Sequence, residues 1–479
     1  MIHVYWKNCF SDDKADSSRG IAGAPKHGIT EQDLQKLHPA LQKAHKAVQD
    51  DIDADKLGFA KLPTRTDYRR QARQLVAKKY AEFPRQTITD MVILGIGGSA
   101  LGNIALQAAL NPLTYNLMSD TDRPGPRLFV LDNVDPALVG EVIQAIRPRL
   151  KTTLVNVISK SGETAETAAQ FMIFRNLLRR ALGKDFARNI VATTDLNKGT
   201  LHDLARKDGY DMLAVPDDVG GRFSVLTPVG LFPAAMCGIN INQLLAGAAD
   251  MKRRCAVRDW RKNPATLLAG LKFLAYQKGK VMDVMMPYSN RLYSLADWYR
   301  QLWAESLGKA LNRKNKEVFT GPTPIKALGT TDQHSQVQLY RDGPNDKFFQ
   351  FLEVAKHPQN VAIPRDFANV AGMGYLGGHT LEQLLNAEKL ATEYALAVNQ
   401  RPSVTIRFDA ITPHSVGEFI YLYEMVTSIA GELLDVNTYD QPAVELGKHA
   451  TFALMGRGGF DVIRKNIKPY EKIDKTFLA

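Results

Sequence analysis

From about residue 63 onward, short apolar runs alternate with longer amphipathic stretches, and the alternation halts once and then restarts. No other feature restricts the fold as much. An apolar run of about 4–8 residues between turn signals is a strand buried on both faces, and the helical stretch that follows is a crossover returning the chain parallel to it. Met91–Gly95, Arg127–Leu131, Thr153–Ser159, Asn189–Thr193 and Met212–Pro216 form the first set of expected strands. Lys280–Pro287, Lys347–Val354 and Ser403–Phe408 form the second. The expected fold class is α/β, with two doubly wound domains built on parallel sheets. The first domain covers 63–250, and the second, with C-terminal helices, covers 265–479. Residues 1–62 lack the alternation and read as a polar, helical N-terminal extension. Helix starts are expected near Ser294, Thr380 and Ser415, because Asp297, Gln383 and Glu418 follow at capping-box spacing.

The uncharged run Phe223–Ala249 has the length of a membrane span. Pro228, Pro233, Asn240, Asn242 and Gln243 interrupt it, so a buried helix behind a site is expected instead, and no membrane partner. The formal charge of +11 favours anionic partners. The densest basic run, Lys309 to Lys316, carries no interleaved aromatics and reads as solvated surface, so the expected anions are small phosphorylated molecules and not nucleic acid. The three cysteines Cys9, Cys237 and Cys255 form no C-x-x-C pair, and their odd number argues against a disulfide framework. With no apolar signal core in the first twenty residues, a reducing cytoplasm is expected. None of the ten histidines has metal-ligand spacing, so neither metal nor other cofactor is expected.

Several short motifs carry chemistry. Gly95 to Gly102, GIGGSALG, follows a strand and opens a helix. It suits a backbone approaching a ligand, a dinucleotide with Asp132 as its ribose partner, or simply a tight turn. Ser159 to Thr164, SKSGET, sets three hydroxyls at a helix start, more than one cap needs, which suits a phosphate monoester. Its end is not GK[ST], which excludes a nucleoside-triphosphate loop. Arg222 follows two glycines in DDVGGRFS, placed to turn into a pocket and stabilise an oxyanion. Glu305 shares a helix face with Trp298 and Leu302, which fits a general base; its i,i+4 relation to Lys309 equally fits a surface ion pair. His334 lies beside Gln333 in a loop rich in Gly and Thr. Gln441 and Lys448 stand seven apart, on about one helical face, in a segment with Pro442 near its helix start.

Together these motifs resemble the phosphoglucose isomerase family, in its shorter bacterial form, over about residues 60 to 460. DDVGGRFSVLTPVG (Asp217 to Gly230) and GELLDVNTYDQPAVELGK (Gly431 to Lys448) carry the likeness, with GIGGSALG, SKSGET, AESLGK and DQH in the family's order. The chain departs from the family at Glu163, usually Thr or another small residue, and at Ala443, usually Gly. The resemblance implies two sugar-isomerase domains and a homodimer that interconverts glucose 6-phosphate and fructose 6-phosphate in glycolysis and gluconeogenesis. It implies that Ser159, Ser161, Thr164 and the Lys160 backbone hold the phosphate, while Gly98 and Ser99 line the sugar and Gln301 and Gln441 contact the substrate. Glu305 would move the proton, Arg222 would stabilise the enediolate, and His334, from the neighbouring subunit, would open the ring with Lys448. Two other classes compete: a dinucleotide-dependent oxidoreductase, resting on the glycine turn and Asp132, and a non-catalytic sugar-phosphate sensor on the same fold.

Overall fold

The computed structural model describes residues 1–10, 29–83 and 87–479. In chain order the strands are β1 (Ile2–Tyr5), β2 (Asp90–Leu94), β3 (Arg127–Leu131), β4 (Thr153–Ile158), β5 (Ile190–Thr194) and β6 (Asp211–Ala214). They continue with β7 (Met282–Pro287), β8 (Lys309–Leu311), β9 (Glu317–Thr320), β10 (Thr323–Lys326), β11 (Lys347–Lys356) and β12 (Ser403–Ala410). The expected strands are all present, with ends shifted by a residue or two.

One sheet has the order β3-β2-β4-β5-β6 and is parallel throughout. Its strands β2, β4 and β5 are buried along their whole length, as central parallel strands are. Val92, Leu94, Val155, Val157 and Ile190 share a core with Phe171, Phe174 and Leu178 of the helix Ala165–Leu182. The second sheet has the order β1-β12-β11-β7-β10. Strands β7, β10, β11 and β12 are parallel, and β1 adds antiparallel to β12. Val284, Met286, Phe349 and Phe351 form its core with Tyr288 and Tyr340. Both sheets wind alike. The first strand, β2 or β7, has its successor on one side and the third parallel strand on the other, which creates a topological switch point at its C-terminal end.

Several local expectations are corrected. The stretch 1–62 is not helical alone: Ile2–Tyr5 is a strand, beside the 3-10 turn Lys7–Cys9 and the helix Glu31–Asp53. The uncharged run is two helices, Pro228–Met236 and Ile241–Cys255, broken where Gly238 takes φ 80°. Among the described residues no helix is long and apolar enough to cross a membrane. The basic run is half of a β8–β9 hairpin, exposed except for buried Lys309 and half-buried Asn312. The capping box at Thr380–Gln383 forms as expected. The helix near Ser294 instead begins at Tyr293 without a side-chain cap, and Asp297 pairs with Arg300 and Lys326. Near Ser415 the box is Thr412 with Ser415, because Pro413 takes the first helical position. Glu418 is buried in the helix and accepts from the Ile2 amide and Arg254. All three cysteines are free and buried, and burial pushes the Cys237 and Cys255 thiols up to about 12. By internal contacts the chain divides into Met1–Thr438 and Tyr439–Ala479.

Candidate active site

The turn after β2 narrows to a 3-10 turn, Gly97–Ser99, before the helix Leu101–Leu110. A Cβ added to Gly98 would fall 2.1 Å from the Gly221 carbonyl oxygen and 2.7 Å from the Arg222 nitrogen. Glycine is therefore a steric need at Gly98, because another main chain lies against it. The two glycines before Arg222 are different. Gly220 has φ −66°, and a Cβ on Gly221 would meet nothing within 4 Å. Neither the angle at Gly220 nor the space at Gly221 demands glycine; the steric requirement falls on Gly98.

Arg222, held against this turn, is 4% exposed. It donates from Nε to Ser306 Oγ at 2.7 Å, from Nη1 to Glu305 Oε2 at 3.3 Å and from Nη2 to the Thr438 carbonyl at 2.6 Å. Glu305 occupies the last turn of the helix Tyr293–Leu307. Trp298 and Leu302 on its face are buried, while the Glu305 side chain is 34% exposed. Gln301, one turn earlier, donates to Glu305 Oε1 at 3.1 Å. Its Nε2 also sits 3.0 Å from where a Cβ on Gly97 would be, which ties the helix to the glycine turn. Each carboxylate oxygen of Glu305 is thus fixed by one donor, with part of the group open to an incoming molecule. Lys309 donates to the main-chain carbonyl of Glu305 at 3.0 Å, satisfying the helix end.

The Ser159–Thr164 loop leaves β4 beside the turn after β2. Ser159 Oγ accepts from the Gly162 amide at 3.0 Å and lies 3.5 Å from Thr164 Oγ1. Ser161 Oγ accepts from the Glu163 amide at 3.2 Å. The Lys160 carbonyl accepts from Thr194 Oγ1 at 3.0 Å and from the Asp195 amide at 3.2 Å, anchoring the loop to the strand end. Thr164 is the N-cap of Ala165–Leu182, yet its hydroxyl makes no hydrogen bond to the helix. Simple capping would use that hydroxyl; here it leaves the helix-start amides uncapped. Lys160 Nζ lies 2.9 Å from Asp217 Oδ1, and this contact holds the Asp217 carboxyl below its ordinary range. The pair links the loop to the Arg222 turn. Glu163 is exposed, so its departure from the family pattern lies toward solvent.

His334 ends the 3-10 turn Thr331–His334 after β10 and is exposed. Among the described residues it makes no hydrogen bond to Glu305 or Arg222. Its turn is fixed from behind: Gln333 accepts from the Tyr288 hydroxyl at 2.9 Å, and Asp332 accepts from the Leu328 amide at 2.6 Å. Gln441 and Lys448 belong to Tyr439–Ala479. They do not share a helical face, because Gln441 lies before the helix in a non-helical conformation (φ −152°, ψ 66°) and the 3-10 turn Pro442–Val444 precedes the helix Glu445–Leu454. Lys448 Nζ lies 2.8 Å from Glu445 Oε1. One chain therefore gathers Gly98, Ser99, Ser159, Lys160, Ser161, Thr164, Arg222, Gln301 and Glu305, and leaves His334 outside these contacts. Ser306 and Thr438 received no role from sequence. Ser306, fully buried beside the carboxylate in AESLGK, was the available signal; Thr438 acts through a main-chain carbonyl, which no residue type announces.

Comparison with known proteins puts this chain among α/β isomerases of two-sheet architecture. The family model described as phosphoglucose isomerase matches residues 36–457, and the chain belongs to that family. It is 46% identical over 453 residues to the glucose-6-phosphate isomerase of Carboxydothermus hydrogenoformans, covering 95% of this chain and 96% of that relative. It is 44% identical over 440 residues to the glucose-6-phosphate isomerase of Rubrobacter xylanophilus, covering 90% and 96%. Among solved structures, a hypothetical protein of Thermus thermophilus matches with a TM-score of 0.80 at 33% identity, over 95% of this chain and all of that one (100%). A glucose-6-phosphate isomerase of Chlamydia trachomatis shares the fold, with a TM-score of 0.79 at 22% identity over 97% and 95%. The dinucleotide reading of the glycine turn loses its support, since Gly98 serves the approach of a second chain segment.

Proposed function

We propose that this chain interconverts glucose 6-phosphate and fructose 6-phosphate by opening the sugar ring and passing through a cis-enediolate. The observation that carries the reading is Glu305, held between Arg222 and Gln301 against the glycine turn, with the Ser159–Thr164 loop tied to the Arg222 turn through Lys160 and Asp217. Glu305 moves the proton between carbon 2 and carbon 1, and Arg222 stabilises the oxyanion that develops. Ser159, Ser161, Thr164 and the Lys160 backbone hold the phosphate. Gly98 and Ser99 line the sugar, and Gln301 and Gln441 contact it. His334 and Lys448 open the ring.

The exposure of His334, outside the contacts of Glu305, supports its delivery to the site of a partner subunit, so the working unit is a homodimer. Each parallel sheet is the centre of one sugar-isomerase domain, 63–250 and 265–479. The enzyme works in the cytoplasm. The reaction is redox-neutral within the substrate and asks for one base and one oxyanion stabiliser, so the proposal includes neither metal nor redox cofactor. The test is to incubate fructose 6-phosphate with the protein in heavy water. Deuterium is expected at carbon 2 of the glucose 6-phosphate formed. A shielded Glu305 can return the same proton in one turnover, so the label is read after many reversals at equilibrium; no label even then would mean direct hydride transfer and would end the enediolate reading.

A further inference from the structure

The second sheet repeats the winding of the first, and a hollow lies at its switch point. A cavity of about 330 Å³ opens where the chain leaves the C-terminal ends of β7, β10 and β11. Its walls include Ser289, Asn290 and Arg291 after β7, Gly329 after β10, and His357 and Gln359 after β11. The size lies at the lower end of small-molecule sites, about 300–1,000 Å³, and the position is where open parallel sheets bind ligands.

The polar groups in this wall are unspent. Arg291 is half-buried, and burial lowers its pKa from the usual arginine value. Among the described residues its hydrogen bond is a long one, 3.5 Å to the Ala109 carbonyl, and no carboxylate lies within ion-pair distance. A partly desolvated guanidinium without a counter-ion is costly unless an anion visits it. Ser289 is 6% exposed, and its hydroxyl makes no hydrogen bond among the described residues, not even to the helical turn it precedes. His357 Nε2 is buried and lacks a hydrogen-bond partner among the described residues, and burial lowers the imidazole pKa. Glu382, the acid that acts on His357, accepts its main-chain amide at 2.7 Å. The turn Asn290–Leu292 runs straight into Tyr293–Leu307, so the positive end of a long helix meets the same cavity.

We propose that this cavity is a second anion site, which takes the phosphate group of a small phosphorylated metabolite on the Arg291 fork, the Ser289 hydroxyl and the helix-start amides. It is separate from the Ser159–Thr164 loop, which belongs to the other sheet. The probe is radiolabelled inorganic phosphate in equilibrium dialysis with the whole protein. The parent should bind two equivalents per chain, Arg291→Gln one, and Ser161→Ala/Thr164→Ala one. Glucose 6-phosphate should displace the equivalent that Arg291→Gln retains. If it displaces nothing there, the phosphate assignment under the proposed function fails while the Arg291-dependent equivalent stands. One equivalent in the parent, or two in Arg291→Gln, overturns the second site. A check on the parent needs no variant: phosphate should shield Arg291 from phenylglyoxal, read by peptide mass mapping. Equal labelling with and without phosphate overturns the proposal.

Discussion

Arg222 joins segments 83, 84 and 216 residues away along the chain, through Glu305, Ser306 and Thr438. A planar guanidinium holds its donors in one rigid fork, so three partners also fix its orientation, which the compact, rotating ammonium of a lysine does not do. The residue therefore assembles the site as well as facing it, and Glu305 inherits its position from that assembly. Glu305→Gln keeps the shape and loses the proton acceptor. Turnover should fall by about 100- to 10,000-fold, with KM little changed because the proposed phosphate contacts lie on another loop. Steady-state kinetics at near-parent turnover would place the base elsewhere. A second carboxyl has no part in this chemistry. Glu424 is fully buried in the helix Pro413–Leu433, neither of its oxygens has a partner among the described residues, and burial pushes its pKa well above the carboxylate range. The unfolded chain releases this proton at the ordinary value while the folded chain keeps it, so the folded state binds more protons above that pH and stability drops as pH rises. Glu424→Gln should remove that slope. Its advantage in Tm over the parent should be larger at pH 8 than at pH 5; parallel pH profiles would refute the burial account.

At the scale of elements, the glycine turn after β2 and the Arg222 turn after β6 meet backbone to backbone at Gly98. Gly98→Ala forces the two apart, at an expected cost of about 1–3 kcal/mol as for other overpacked sites. Gly221→Ala, inside the conspicuous GGR motif, should leave Tm unchanged, since nothing lies within 4 Å of its added Cβ. Equal losses of Tm in both variants would defeat this steric account. The same scale shows why some elements are legible and others not. Strands β2, β4, β5, β7 and β11 are apolar runs because both faces are covered, and they can be read within two residues. β1 alternates between buried and exposed over only four residues, and β8 and β9 are mostly exposed, so their composition resembles that of loops. Helix starts depart from expectation where proline or a preceding 3-10 turn, and not the hydroxyl, sets the first turn.

For the whole molecule, the proposal that His334 works in the partner's site has a direct test. Glu305→Gln and His334→Ala subunits, each inactive alone, are mixed and allowed to exchange. About a quarter of the parent's activity should return at equal mixing, because half the dimers are mixed and each keeps one of its two sites intact. Verified exchange without recovery would put His334 and Glu305 in the same subunit. Sequence by itself determined the two-sheet α/β class, the order of the motifs and the residue types of the site, because burial periodicity and side-chain chemistry are local properties. Only the tertiary structure decided that Arg222 meets Ser306 and the Thr438 carbonyl, that a second main chain lies against Gly98, and that Ile2–Tyr5 pairs with the edge of the second sheet. Those contacts depend on main-chain atoms and on the approach of distant segments, and neither leaves a mark in residue type.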